Sequence, residues 1–61
     1  MNTQWWAIVF SDDSTGYMQM DNGYCIGVYR ADGKLVEPEE KVEYTCVATN
    51  VEAPSWGLTN A

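Results

Sequence analysis

Two dipeptides constrain this chain more than anything else in it. Asn22-Gly23 lies between Tyr17-Met18-Gln19-Met20-Asp21 and Tyr24-Cys25-Ile26-Gly27-Val28-Tyr29-Arg30, and Asp32-Gly33 lies between that second run and Lys34-Leu35-Val36-Glu37. Asn-Gly and Asp-Gly accept the positive φ angles that a two-residue type I′ hairpin demands. Flanked by β-rich runs, they predict a three-stranded antiparallel meander. Two-residue loops also set a register. Asp21 should oppose Tyr24, Met20 oppose Cys25, Gln19 oppose Ile26, Met18 oppose Gly27 and Tyr17 oppose Val28. In the second hairpin Arg30 should oppose Leu35, and Tyr29 oppose Val36.

That register sorts the side chains, because neighbours along a strand point to opposite faces. One face would carry Met18, Met20, Cys25, Gly27, Tyr29 and Val36. The other would carry Tyr17, Gln19, Tyr24, Ile26, Val28, Leu35 and Arg30. Both faces are substantially apolar, whereas an open antiparallel sheet with one wet face alternates apolar with polar. Either further strands cover the sheet or one face meets a partner.

Two further runs are available. Residues 5–10, Trp-Trp-Ala-Ile-Val-Phe, have no polar alternation and read as a central strand buried on both sides. Residues 42–49 alternate, with Val42, Tyr44, Cys46 and Ala48 on one face and Glu43, Thr45, Val47 and Thr49 on the other. Residues 11–16 form a polar loop. Pro38 breaks the chain after Val36 and can open one helical turn over residues 37–41. Residues 52–61 contain Pro54 and Gly57 and read as an irregular tail, tethered by Trp56 and Leu58. No window keeps helical apolar spacing over three turns. The expected fold is mainly β: one small domain over residues 1–61, a small antiparallel meander of about five short strands that can curl into a partly open SH3-like barrel.

Length makes that fold hard to stabilise. For 61 residues, burial of apolar area contributes on the order of 90 kcal/mol. Ordering the chain at about 1.5 kcal/mol per residue costs nearly the same. Stability must then come from dense aromatic packing, for which 13% Phe, Trp and Tyr are available, or from a partner.

Composition excludes more functions than it suggests. Nine Asp/Glu stand against Arg30, Lys34 and Lys41, a net charge of −6. Three scattered cations make no basic patch, so neither nucleic acid nor an anionic membrane is an expected partner. The apolar run at residues 5–10 is too short for a leader or a membrane span. The chain reads as a cytoplasmic product. Cys25 and Cys46 then read as free thiols used as small buried hydrophobes.

No histidine is present, so the commonest general base and metal ligand is missing. There is no Gly-rich phosphate loop, no nucleophile elbow and no C-x-x-C pair. Asp12-Asp13-Ser14 lacks the alternating ligands of a calcium loop. The expectation is a non-enzyme with no cofactor and no metal site.

Two features could serve binding. Trp5 and Trp6 are adjacent strand residues and must point to opposite faces, so one enters the core and the other is free to anchor a contact. Glu37, Glu39, Glu40 and Glu43 form an acidic rim able to steer a basic partner. The chain is accordingly expected to be a small acidic interaction or regulatory module. Its partner would be another protein with a basic surface, or a second copy of itself, and it could inhibit a basic or nucleic-acid-binding protein by presenting carboxylates where phosphates sit. A subunit of a larger assembly and a small-ligand binder with an aromatic-lined barrel mouth are the alternatives.

Overall fold

A computed structural model describes the backbone of residues 3–60 and the side chains of residues 3–57, so the expected tether at Leu58 lies outside the described side chains. Four antiparallel strands form one open sheet: β1 (Thr3–Phe10), β2 (Thr15–Asp21), β3 (Tyr24–Arg30) and β4 (Tyr44–Val51). Their order across the sheet is β3-β2-β1-β4. Three strands follow one another through hairpins, and the fourth returns by a long connection to lie beside the first. That is Greek-key order. β1 is central, as its unbroken apolar run requires.

The expected fifth strand, residues 34–37, shrinks to a single bridge between Tyr29 and Leu35. It is held by two backbone bonds, Arg30 N–H to Lys34 O (2.9 Å) and Val36 N–H to Val28 O (2.8 Å). Pro38 has no N–H to continue the ladder and opens a short 3₁₀ turn, Pro38–Glu40, at the first helical position. Lys41 then takes a left-handed conformation, φ 51°, and the chain crosses to the far side of β1. Because the fifth strand stops, the sheet stays open rather than curling into a barrel.

The Asn22-Gly23 turn forms as expected: φ is 52° and 86° at the two residues, and Asp21 faces Tyr24 and Met20 faces Cys25. Beyond that pair the register departs from expectation. Gln19 faces Gly27, Met18 faces Val28 and Tyr17 faces Tyr29. Ile26 is an extra residue, a bulge that moves the remainder of β3 by one position. Tyr29 therefore shares a face with Tyr17, not with Met18. The Asp32-Gly33 turn also differs. Gly33 N–H bonds Arg30 O, and Gly33 has φ 92°, so residues 31–33 make a three-residue loop ending in a positive-φ glycine. Tyr29 consequently meets Leu35 instead of Val36.

The β1–β2 loop repeats this design. Phe10 N–H bonds Ser14 O (2.7 Å), Asp13 N–H bonds Phe10 O (2.9 Å), and Asp13 has φ 72°. In each loop an aspartate at the second position accepts from the backbone N–H two residues on: Asp12 from Ser14, Asp32 from Lys34, both at 3.0 Å. Asp13 and Gly33 do the same work, since aspartate tolerates the left-handed region better than most residues.

Two cores result, one on each face. On the first, Trp5 packs edge-on against Tyr17 (6.2 Å) and Trp56 (5.4 Å) and tilted against Tyr29 (5.9 Å). Trp56 also meets Tyr17 at 5.8 Å and Tyr29 at 5.2 Å. It is delivered by the 3₁₀ segment Ser55–Asn60, so residues 55–60 are ordered rather than irregular. The Trp56 Nε1–H donates to Ala31 O at 3.0 Å, which ties the segment to the β3 loop. On the second face lie Ile8, Phe10 and Met20, all buried. Tyr44 packs edge-on against Phe10 at 6.0 Å, and the Arg30 guanidinium sits over the Phe10 ring at 5.0 Å. Buried Gly16 lies beneath that ring; a Cβ there would collide with Tyr29 O and Phe10.

The cysteines are free but exposed, which corrects the expectation of buried ones. Each precedes a bulge. Cys25 stands before Ile26, and Cys46 before Val47, the extra residue between Ala48 and Cys46 opposite Ala7 and Ile8. Each thiol donates to the carbonyl two residues on, Gly27 at 3.6 Å and Ala48 at 3.5 Å. Cys25 lies on β3 and Cys46 on β4, the two edge strands of the sheet, each flanked by a neighbouring strand on one side only.

Candidate functional site

The end of the fifth strand creates the most distinctive surface. β3 is an edge strand, and residues 34–36 cover it only as far back as Val28. Where the chain leaves at Pro38, a groove of about 470 Å³ opens between β3 and the crossing segment. Its apolar floor is Ile26, Val28, Leu35, Val36, Val42 and Tyr44, and Cys25, Gly27, Glu37, Pro38 and Lys41 complete the walls. Ile26 is 56% exposed, Leu35 47% and Tyr44 38%. Local chemistry explains each position: the bulge turns Ile26 out, the three-residue loop sets Leu35 opposite Tyr29, and Tyr44 is held by Phe10.

The carboxylates along this segment are not equivalent. Glu40 accepts from the Glu37 backbone N–H at 3.0 Å and from Arg30 Nη2 at 3.3 Å, and these two contacts, in that order, hold its carboxyl below the usual range. Glu40 is therefore a structural clamp that joins the 3₁₀ turn to Arg30, and through Arg30 to Phe10. Glu37 lines the groove. Glu39 is exposed beside it in the turn. Glu43 stands apart: its carbonyl accepts from Ser11 N–H, and it borders a shallow depression with Ser11, Asp13 and Thr45.

The two tryptophans do divide between faces. Trp5 is 8% exposed, locked among Tyr17, Tyr29 and Trp56, and so is core. Trp6 is half-buried on the other face, opposite Met18, with its Nε1–H donated to Gln4 Oε1 at 3.0 Å. It lies four residues from Phe10, about 13 Å along the strand, and it does not line the groove. The structure thus separates the expected Trp anchor from the Glu37–Glu40 rim. The apolar residues beside that rim are Ile26, Leu35 and Tyr44. The sequence held one signal for them, an apolar excess on the sheet face assigned to Ile26, Val28 and Leu35.

Elsewhere the chemistry is sparse. Asp12 is the other carboxylate held below its ordinary range, first by the Ser14 hydroxyl and then by the Ser14 backbone N–H, and both bonds belong to its loop. Among the described residues, no three of His, Cys, Asp and Glu lie together as metal ligands, and no helix is long and apolar enough to cross a membrane. No family model matches the chain, and no curated protein or solved structure matches it.

Proposed function

We propose that this protein is a small non-catalytic module that works by protein–protein contact, and that the contact surface is the groove between β3 and residues 35–44. The observation that carries this reading is the exposure of Ile26, Leu35 and Tyr44 side by side in one concave site. Scattered apolar side chains are ordinary on a protein surface, but a contiguous set in a groove marks a contact site. Hydrophobic area supplies the affinity, and the neighbouring Glu37 and Glu39 supply selectivity for a partner of positive charge. Because the sheet is open and its large aromatic cluster is packed on itself, a ligand-filled barrel mouth has no support.

A second reading, a subunit of a larger assembly, is favoured by the small core. Among the described residues only Trp5, Ile8, Phe10 and Met20 are buried hydrophobics. In that case the same groove is the assembly surface.

Two substitutions test the reading. Ile26→Asp and Leu35→Asp put a charge on the groove floor at exposed positions, where the fold should tolerate it. Both should keep the far-UV circular dichroism of the parent and lose the protein that the parent retains from its native host. Val47→Asp, at an equally exposed position on the opposite edge, should keep it. Retention by both groove variants would overturn the proposal.

A further inference from the structure

The two glycine-containing hairpin turns differ in how tightly their reactive groups are held. Asn22 and Gly23 are both exposed, with φ of 52° and 86°, and a Cβ built on Gly23 meets nothing within 4 Å. Among the described residues, neither the Gly23 N–H nor the Asn22 carboxamide has a hydrogen-bond partner. Asp32-Gly33 is held at both points. Gly33 N–H donates to Arg30 O at 2.8 Å, and Asp32 Oδ1 accepts from Lys34 N–H at 3.0 Å. The Trp56 ring also covers Gly33, 3.0 Å from where a Cβ would stand. Asn50 has a positive φ too, 53°, but it precedes Val51, whose branched side chain crowds its own amide nitrogen.

An asparagine followed by glycine meets its own nucleophile, the backbone nitrogen of the next residue, with no Cβ to shield it. We infer that Asn22 is a site of spontaneous covalent modification in the folded protein, with water as the only co-reactant. Once solvent base removes its proton, Gly23 N bonds to Asn22 Cγ. The Cγ–Nδ2 bond breaks, ammonia leaves, and a succinimide closes. Water then adds to one of its two carbonyls, and nothing is oxidised or reduced. Opening at Cγ restores the main chain with an aspartate at position 22. Opening at the backbone carbonyl leaves isoaspartate, in which the main chain runs through the side chain and gains a methylene.

The two products act differently. Aspartate tolerates the left-handed region as asparagine does, so it adds a negative charge beside Asp21 and keeps the turn. Isoaspartate lengthens a loop whose ends are paired, Asp21 with Tyr24 and Met20 with Cys25. Loop length sets hairpin register, so the β2–β3 hairpin loosens from its turn inward.

The test incubates the full chain at physiological temperature and mildly alkaline pH, folded and in guanidinium. Peptide mapping with mass measurement follows amide-to-acid exchange at each asparagine. In the folded chain Asn22 should convert severalfold faster than Asn50. Folding should slow Asn22 by less than about tenfold, since only local motion of the turn is required. Reaction through global unfolding would instead slow it by about a hundredfold or more. That result would overturn the inference, as would Asn50 converting first. The isoaspartyl form, separated by chromatography, should show a lower Tm than the parent and shifted amide resonances at residues 20–25. The variant Asn22→Asp should melt close to the parent. An isoaspartyl form that melts with the parent would refute the link between this modification and hairpin register.

Discussion

Trp56 is the residue on which the first face depends, and its removal can be costed from the geometry. Its ring meets Trp5, Tyr17 and Tyr29 at centroid distances of 5.4, 5.8 and 5.2 Å, and its Nε1–H reaches Ala31 O at 3.0 Å. Truncating a buried tryptophan to alanine costs about 3–5 kcal/mol. Trp56 is only half-buried, which places Trp56→Ala near the lower end, about 3 kcal/mol. A chain of this length has a total stability of roughly 3–9 kcal/mol, so the variant should lose a third of it or more and, at the low end of that range, be unfolded at room temperature. Where it is still folded, its Tm should fall by roughly 12–24 °C. Trp56→Phe keeps a smaller ring in the cluster and deletes the donor. Because Ala31 is exposed, water can replace that bond, and the cost should stay near 1 kcal/mol. Urea denaturation followed by far-UV circular dichroism reads both variants without relying on tryptophan emission. If Trp56→Ala costs less than about 1 kcal/mol, the 3₁₀ segment is not a structural cover, and the aromatic core as described here is mistaken.

Other outcomes follow from single contacts. Gly16→Ala forces a Cβ onto the Tyr29 carbonyl and the Phe10 ring, neither of which can rotate away, so it should cost about 2–3 kcal/mol. Gly23→Ala meets nothing within 4 Å and strains only the φ of 86°, so it should cost about 1 kcal/mol; thermal melts that reverse this ranking would contradict the packing of Phe10 over Gly16 and the geometry of the Asn22-Gly23 turn. Asp12 and Glu40 are both held below their ordinary pKa by native contacts. Each therefore favours the folded state fully above the unfolded carboxylate range, and loses that contribution as pH falls through about 4 and below. Asp12→Asn and Glu40→Gln should flatten the acid limb of a stability–pH curve, and an unchanged limb would remove these contacts from the account. Cys25 and Cys46 should both react with a thiol reagent in the folded protein without reductant, and intact mass should show two additions.

The local signals of the chain were the legible ones. Asn22-Gly23 states its turn in two residues, the apolar run of residues 5–10 states a central strand, and Pro38 states a break. Register past Met20 was not legible. A bulge such as Ile26 is chosen by packing between strands, here by the fit of Tyr29 beside Trp5 and Tyr17, and no residue type announces it. Asp32-Gly33 misled for a related reason, because Asp-Gly also suits the three-residue loop in which only the glycine has positive φ. The consequences reach the site. With the two-residue loop Leu35 would oppose Arg30, and the groove floor would not assemble. The acidic rim was visible as composition, yet its roles were not, since Glu40 is occupied by Arg30 and the Glu37 amide while Glu37 borders the groove. Trp6, the expected anchor, is separated from that rim because its strand position is fixed by Trp5 entering the core.

The proposed contact surface is tested most directly by a photoreactive amino acid placed at position 35, and separately at position 47, in the full chain expressed in its native host. Both positions are exposed and apolar, and they lie at opposite edges of the sheet. Irradiation should give a discrete protein adduct from position 35 and little from position 47. Adducts from position 47 alone, or equal labelling at both, would mean that this groove is not where the protein meets its partner.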